Sequence, residues 1–139
     1  MAYVVTKVKV YSREVDDVAG TLGAAVAPLA GAGVDLTYLV GYAAAPGKSR
    51  IFLVPSGSGT KVQRELKAAG FSEVQDMSCL LVEGTNKVGV SADIGQRLGK
   101  AGVNMAVFDA FAIGRRFRAL VALRSAADAT KAARRLKAK

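Results

Sequence analysis

The sequence predicts an α+β protein built from two similar units, each an antiparallel sheet with two helices on one face. Three observations support this fold class. Segments with the period of two that is typical of strands alternate with segments of helical spacing. Residues 29–36 are repeated at 98–105, an offset of 69. A chain of 139 residues that is 51% hydrophobic is also long enough to bury a core.

The repeat sets the predicted domain boundaries. At the same offset residues 17–20 fall on 86–89, and with one residue deleted residues 50–54 fall on 118–122. Repeats of this length usually correspond to one structural unit each. We therefore predict a first domain at 1–70 and a second at 71–139, each with the order strand, helix, strand, strand, helix.

In the first copy, valines alternate with lysines over residues 4–10, which predicts a half-buried strand. Asp17 is a candidate N-cap for a helix that ends near residue 30. The other predicted elements of this copy are strands at 34–44 and 48–54, joined by a Pro-Gly turn, and a helix at 60–69.

The second copy follows the same order. Val90, Ile94 and Leu98 have helical spacing and predict one buried helix face. The predicted elements are a strand at 74–82, a helix at 86–100, strands at 103–113 and 116–123, and a helix at 126–137.

Composition excludes several classes of active site. The chain has no His, so it offers no imidazole base, no Ser-His or Cys-His pair and no His-containing metal site. Cys79 is the only thiol, which rules out a disulfide framework within the chain and favours a reducing compartment. The acidic residues are scattered without a recognisable acid/base pair. We predict no catalytic residues, metal or cofactor, and no enzyme activity.

Membrane insertion is not expected. Residues 18–34 are uncharged, but six are Ala, four are Gly and one is Pro, which insert poorly. Lys7 and Lys9 lie inside the N-terminal apolar run, unlike the charges of a signal peptide. The sequence therefore predicts a cytoplasmic protein without a membrane partner.

Two strand-to-helix loops carry a family signal. Residues 17–20 and 86–89 each precede a helix, and each helix is followed by Ala-Gly-Val and then by Asp35 or Asn104. This pattern resembles the ACT domain, a regulatory module of amino-acid metabolism with the motif Asp-x-Pro-Gly, a helix, and Gly-(Ile/Val)-(Asn/Asp). The resemblance covers the chain as two tandem copies, with Ala19 and Val88 at the position of the proline. It implies two ferredoxin-like βαββαβ units in a stand-alone regulatory protein.

The resemblance also implies a function. It points to a free amino acid or similar metabolite bound at an interface between two ACT-like domains, in a homodimer or an intramolecular pair, with a regulated enzyme as a further partner. Carried over residue by residue, the ligand-binding positions are Asp17, Ala19, Gly20, Thr21, Asp35, Asn86, Lys87, Val88, Gly89, Val90 and Asn104.

The chemistry of the loops suits such a ligand. A Gly at a helix start lets a ligand approach the backbone, and the free amides there attract a carboxylate. Asp35 or Asn104 is a candidate partner for the amino group. The second loop is favoured because it is closer to the family pattern and Lys87 adds positive charge. The alternative interpretation is that these glycines and polar residues serve only turn geometry and capping.

Charge distribution supports a different hypothesis. Residues 115–139 contain nine basic residues and one acid, which gives +8 of the chain's net +9. Alternation places Arg116, Arg118 and Arg124 on the strand face opposite Phe117, Val121 and Leu123. The alternative function is therefore a basic scaffold that binds nucleic acid or an acidic protein. Nucleic acid is the less favoured partner, because neither third strand has the aromatic spacing of an RNA-recognition module.

Overall fold

A computed structural model describes all 139 residues and contains two four-stranded antiparallel sheets and four helices. This confirms the predicted fold class. In chain order the elements are β1 (Val4–Val8), β2 (Tyr11–Asp16), α1 (Thr21–Gly31), β3 (Leu36–Ala45), β4 (Lys48–Pro55), α2 (Thr60–Ala68), β5 (Ser72–Glu73), β6 (Ser78–Thr85), α3 (Val90–Lys100), β7 (Met105–Ile113), β8 (Arg116–Leu123) and α4 (Ala126–Lys137).

The chain divides into two compact units. We call Lys9–Val74 the continuous unit, and Met1–Val8 together with Gln75–Lys139 the composite unit. The sheet order is β3-β4-β2-β5 in the continuous unit and β7-β8-β6-β1 in the composite unit. Both units thus have the βαββαβ strand order, but the last strand of the composite unit comes from the N-terminus of the chain.

The compact units do not coincide with the predicted division at residue 70. The segment 4–10, predicted as one strand of the first copy, contains β1 and then leads into β2. β1 pairs antiparallel with β6, with Val5 opposite Val82. Alternating hydrophobicity identifies a strand but not its partner, because either sheet could accept it. The first strand of the continuous unit is β2.

The buried face of β1 also differs from the prediction. Tyr3 and Val5 are buried, whereas Val4 is 61% exposed. Lys7 occupies the same strand face as Val5, and its Nζ donates a hydrogen bond to Thr130 Oγ1 of α4. A lysine can cover apolar surface with its stem while its amine reaches a polar group, so the charge pattern alone misassigned the face.

Each unit has its own hydrophobic core between sheet and helices. In the continuous unit Leu29 of α1 and Leu66 of α2 pack with Ile51 and Leu53 of β4. In the composite unit the predicted face of α3, formed by Val90, Ile94 and Leu98, is buried as expected. The loop before α1 follows the end of β2, and the loop before α3 follows the end of β6.

Candidate functional site

The two glycine loops have nearly the same backbone. Gly20 and Gly89 are the N-cap residues of α1 and α3, with φ of +91° and +89°. No atom lies within 4 Å of a Cβ built on either glycine. The left-handed conformation nevertheless requires glycine, because other L-residues are strained there. The capping and turn interpretation thus accounts for both glycines.

Asp17 is not the N-cap that the sequence predicts. Helix α1 begins at Thr21, four residues later, and has no side-chain cap. The Asp17 carboxylate accepts a hydrogen bond of 3.0 Å from Ser49 Oγ, and its amide donates to the carbonyl of Gly47. The β3–β4 hairpin, not the helix, therefore fixes Asp17 at the loop.

Beside Asp17, the carboxylate of Asp16 forms an ion pair of 2.7 Å with Lys48. The hydrogen bond and the charge of Lys48 lower the pKa of Asp16. The charge of Asp16 is thus already neutralised by Lys48 of β4, whereas the side chain of Asp17 has only the Ser49 hydroxyl as a partner.

The first loop borders a cleft of about 300 Å³ within the continuous unit. The N-terminal turn of α1 forms one wall, and strands β2, β3 and β4 form the floor. Gly41 leaves room for the Leu22 side chain, whose Cδ1 would lie 3.9 Å from a Cβ at that position. The lining residues are Val15, Asp17, Val18, Gly20, Thr21, Leu22, Gly41, Tyr42, Ala43, Ser49 and Ile51.

Three of the predicted site residues, Asp17, Gly20 and Thr21, line this cleft, while Ala19 does not. Sequence reasoning missed its strand residues. Ser49 carried a usable signal, because in β4 it alternates in phase with the buried Ile51 and Leu53 and is the polar member of that face.

The second loop has a different environment. The amide of Asn86 donates to the carbonyl of Arg115, and the amide of Val90 donates to the carbonyl of Lys87. The Val88 side chain is fully exposed, whereas that of Val90 is buried in the core.

The first turn of α3 also contains Asp93, which accepts a 2.6 Å hydrogen bond from the Tyr3 hydroxyl. That bond, together with Arg97, lowers the pKa of Asp93. The helix start is therefore already supplied with an anion from the protein itself.

Asp35 and Asn104 immediately precede β3 and β7, one residue outside strands that were predicted to include them, and Asp35 lies far from the loop of its own unit. The cleft borders β3 from Gly41 onward, six residues beyond Asp35, which corresponds to about 20 Å along a strand. Asp35 instead accepts hydrogen bonds from the Leu36 amide and from Ser56 Oγ. A role for Asp35 or Asn104 at a loop thus requires a second ACT-like unit and stays a prediction.

The basic residues of the C-terminal region are all exposed. Arg118 forms a 2.8 Å ion pair with Glu83, and Lys131 donates to the carbonyl of Ala101. Phe117, Val121 and Leu123 face the core, which confirms the predicted alternation along β8. The structure shows no cluster of three or more potential metal ligands, and none of its helices is long and apolar enough to span a membrane.

No family model and no curated protein matches this chain. Solved structures do. A protein of Bacteroides thetaiotaomicron matches with a TM-score of 0.77 at 17% identity, over 94% of this chain and 88% of that one. The ligand-free regulatory subunit of aspartate kinase from Thermus thermophilus matches with 0.68 at 14% identity, over 98% and 95%. The alpha and beta subunits of aspartokinase give 0.65 at 17% identity, over 98% and 95%.

These similarities define the class of fold. The structural neighbours include ACT-type regulatory domains of aspartate kinase, and this chain shares their ferredoxin-like arrangement across nearly its whole length. At such low identity the likeness establishes the fold and leaves ligand and partner to the chemistry of the site.

Proposed function

We propose that this protein is a regulatory ligand-binding protein that senses a free amino acid or a related small metabolite. The observation that carries the proposal is the cleft beside the first loop, which combines an uncapped helix start with an acidic side chain. Its volume of about 300 Å³ is at the small end of ligand pockets, and therefore suits a metabolite of amino-acid size.

The two ends of an amino acid match the two polar parts of the cleft. The first turn of α1 contains no acidic residue and no side-chain cap, so its amides and the positive end of the helix favour a carboxylate. Asp17 offers a carboxylate to an ammonium group. Val15, Leu22 and Ile51 provide apolar surface for the remainder of the ligand.

The proposal includes the wider assembly that the ACT resemblance implies. In that assembly two tandem ACT-like units, within the chain or across a homodimer, bring the start of a second strand, Asp35 or Asn104, to a loop. The solved neighbours include the regulatory subunit of aspartate kinase from Thermus thermophilus, which supports a regulated enzyme as the partner.

The test is a thermal-shift screen of the full chain against the twenty amino acids and, as a comparison set, nucleotides. A ligand at 100 times its Kd stabilises the folded state by about 2.7 kcal/mol, which is readily detected as a rise in Tm. Gly41→Val should fill the cleft from β3 and abolish the response. Gly41→Ala is the matched control, because its Cβ makes only ordinary contacts with Leu22. Absence of a response to any amino acid at millimolar concentration would reject the sensor function.

A second candidate function rests on the basic region. All nine basic side chains of residues 115–139 are exposed, including Arg116 and Arg124. If they bind nucleic acid, affinity must fall steeply with salt and be lost when Arg116, Arg118 and Arg124 are replaced by Glu. If the protein does not bind DNA or RNA at low salt, nucleic acid is excluded and an acidic protein is the remaining candidate partner of the basic region.

A further inference from the structure

The two units can be compared residue by residue, because their strands pair in the same register. In the continuous unit Val15 lies opposite Ser49, and in the composite unit Gly84 lies opposite Phe117. Ser49 and Phe117 therefore occupy equivalent positions on the core face. Ser49 lines the cleft, whereas Phe117 is only 3% exposed and belongs to the core.

Helices α1 and α3 also differ in the size of the side chains that they direct toward the sheet. Thr21 and Ala25 of α1 correspond to Val90 and Ile94 of α3 at the offset of the repeat. Both residues of α3 are buried and pack in the same cluster as Phe117. The composite unit thus fills with apolar side chains the space that the continuous unit leaves open.

Tyr3 adds an aromatic ring to the same core cluster. A Cβ at Gly84 would lie 3.0 Å from Tyr3 Cδ1, so the ring packs directly on that glycine. The Tyr3 hydroxyl donates to Asp93, and the Arg97 guanidinium lies 5.6 Å from the ring centroid. In the continuous unit the position of Asp93 is taken by Ala24, and β5 ends the sheet after only two residues.

Resting on the proposed function, we infer that each chain binds one ligand, in the cleft of the continuous unit, and that the ligand is an amino acid with a neutral, apolar side chain. The composite unit is closed by Phe117, Val90 and Ile94, and Asp93 supplies the anion at its helix start. It is therefore a structural unit that does not bind the ligand.

The charge of the cleft selects the class of ligand. Asp17 is the charged residue among those that line it, and no Lys or Arg lines it. A protonated amine gains a charge-assisted hydrogen bond there. A second carboxylate on the ligand, as in aspartate or glutamate, would find no cation and would be repelled by Asp17. Amino acids with a neutral, apolar side chain have the protonated amine that Asp17 favours and carry no second carboxylate.

The first experiment is an NMR titration of the ¹⁵N-labelled full chain with each of the twenty amino acids. We expect a neutral apolar amino acid to shift the amides of Leu22, Gly23 and Gly41 while leaving Ser91 and Ala92 unchanged. Equal saturable shifts at Ser91 and Ala92 would overturn the single site. A response to aspartate or glutamate alone would overturn the ligand class. No response to any amino acid would reject the proposed function itself, and the inference with it.

The second experiment uses two pairs of variants and the amino acid that gives the largest shift. Asp17→Asn should weaken binding about 10- to 100-fold, because it removes one charged hydrogen bond. Asp16→Asn removes the same charge one residue away, from a side chain paired with Lys48, and should change the Kd less than about twofold.

Ser49→Phe copies Phe117 and should abolish binding, whereas Ser49→Ala keeps the cleft open, removes one neutral hydrogen bond to Asp17 and should weaken binding by no more than about tenfold. Equal affinity of wild type, Asp17→Asn and Ser49→Phe, with each variant melting as a folded protein, would refute the assignment.

Discussion

The first prediction concerns the N-terminal strand, which should be required for the composite unit and dispensable for the continuous one. Deletion of residues 1–8 removes all five residue pairs between β1 and β6. It also removes the buried side chains of Tyr3 and Val5 and the hydrogen bond from Tyr3 to Asp93. Loss of a buried aromatic costs about 3–5 kcal/mol and loss of a buried valine about 1.5–3 kcal/mol.

These losses amount to roughly 5–8 kcal/mol. A unit of 73 residues, eight from the N-terminus and 65 from Gln75–Lys139, has an expected stability of about 4–11 kcal/mol. The deletion should therefore remove most of the stability of the composite unit. The continuous unit, Lys9–Val74, retains all of its own strands and should stay folded.

Hydrogen exchange distinguishes the two units within one sample. Amides of β6 and β8 should lose protection in the deletion variant, while those of β2 and β4 keep it. Val5→Ala and Val4→Ala form a matched pair, since the side chains are 9% and 61% exposed on opposite faces of one strand. The first should cost about 1.5–3 kcal/mol and the second less than about 0.5 kcal/mol. Equal effects of the two substitutions, or unchanged protection after deletion, would refute the reasoning.

Three further predictions follow from single residues. Gly20→Ala should destabilise the continuous unit by about 1–2 kcal/mol in urea titrations, because φ is +91° there; an unchanged midpoint would contradict this. The lowered pKa of Asp93 means that its stabilising effect is complete above the ordinary carboxyl pKa and is lost as the pH falls through the lowered value, so Asp93→Asn should flatten the acid limb of the unfolding curve of the composite unit. Burial raises the pKa of Cys79 to about 11, so its thiol should react slowly with iodoacetamide at pH 8 and rapidly in denaturant; rapid reaction of the native protein would argue against burial.

The helices and the fold class could be predicted from the sequence because their signals are local. Val90, Ile94 and Leu98 specify one apolar face, and such a face must be buried. The repeat then indicated that the same elements occur twice. The predicted start of α1 was three residues too early, with Asp17 as N-cap in place of Gly20, and that of α3 was four residues too early, because a polar residue before the turn resembles an N-cap.

The partner of β1 could not be predicted in this way. Only two residues, Lys9 and Val10, separate β1 from β2, and strands so close in sequence commonly share a sheet. The choice of β6 depends on the burial of Tyr3 and Val5 against α3 and α4, which are contributed by the other end of the chain. Long-range packing of this kind leaves no trace in local periodicity.

The candidate site shows the same division between local and long-range causes. Both loops place a left-handed glycine before their helix, and the sequence favoured the second loop because it is closer to the ACT pattern and because Lys87 adds positive charge. What distinguishes them in the structure lies elsewhere in the chain: Phe117 and Tyr3 fill the composite unit, while Ser49 and Gly41 leave the continuous unit open. A loop motif therefore specifies the backbone before the helix, and the side chains opposite it decide whether a cleft stays open beside it.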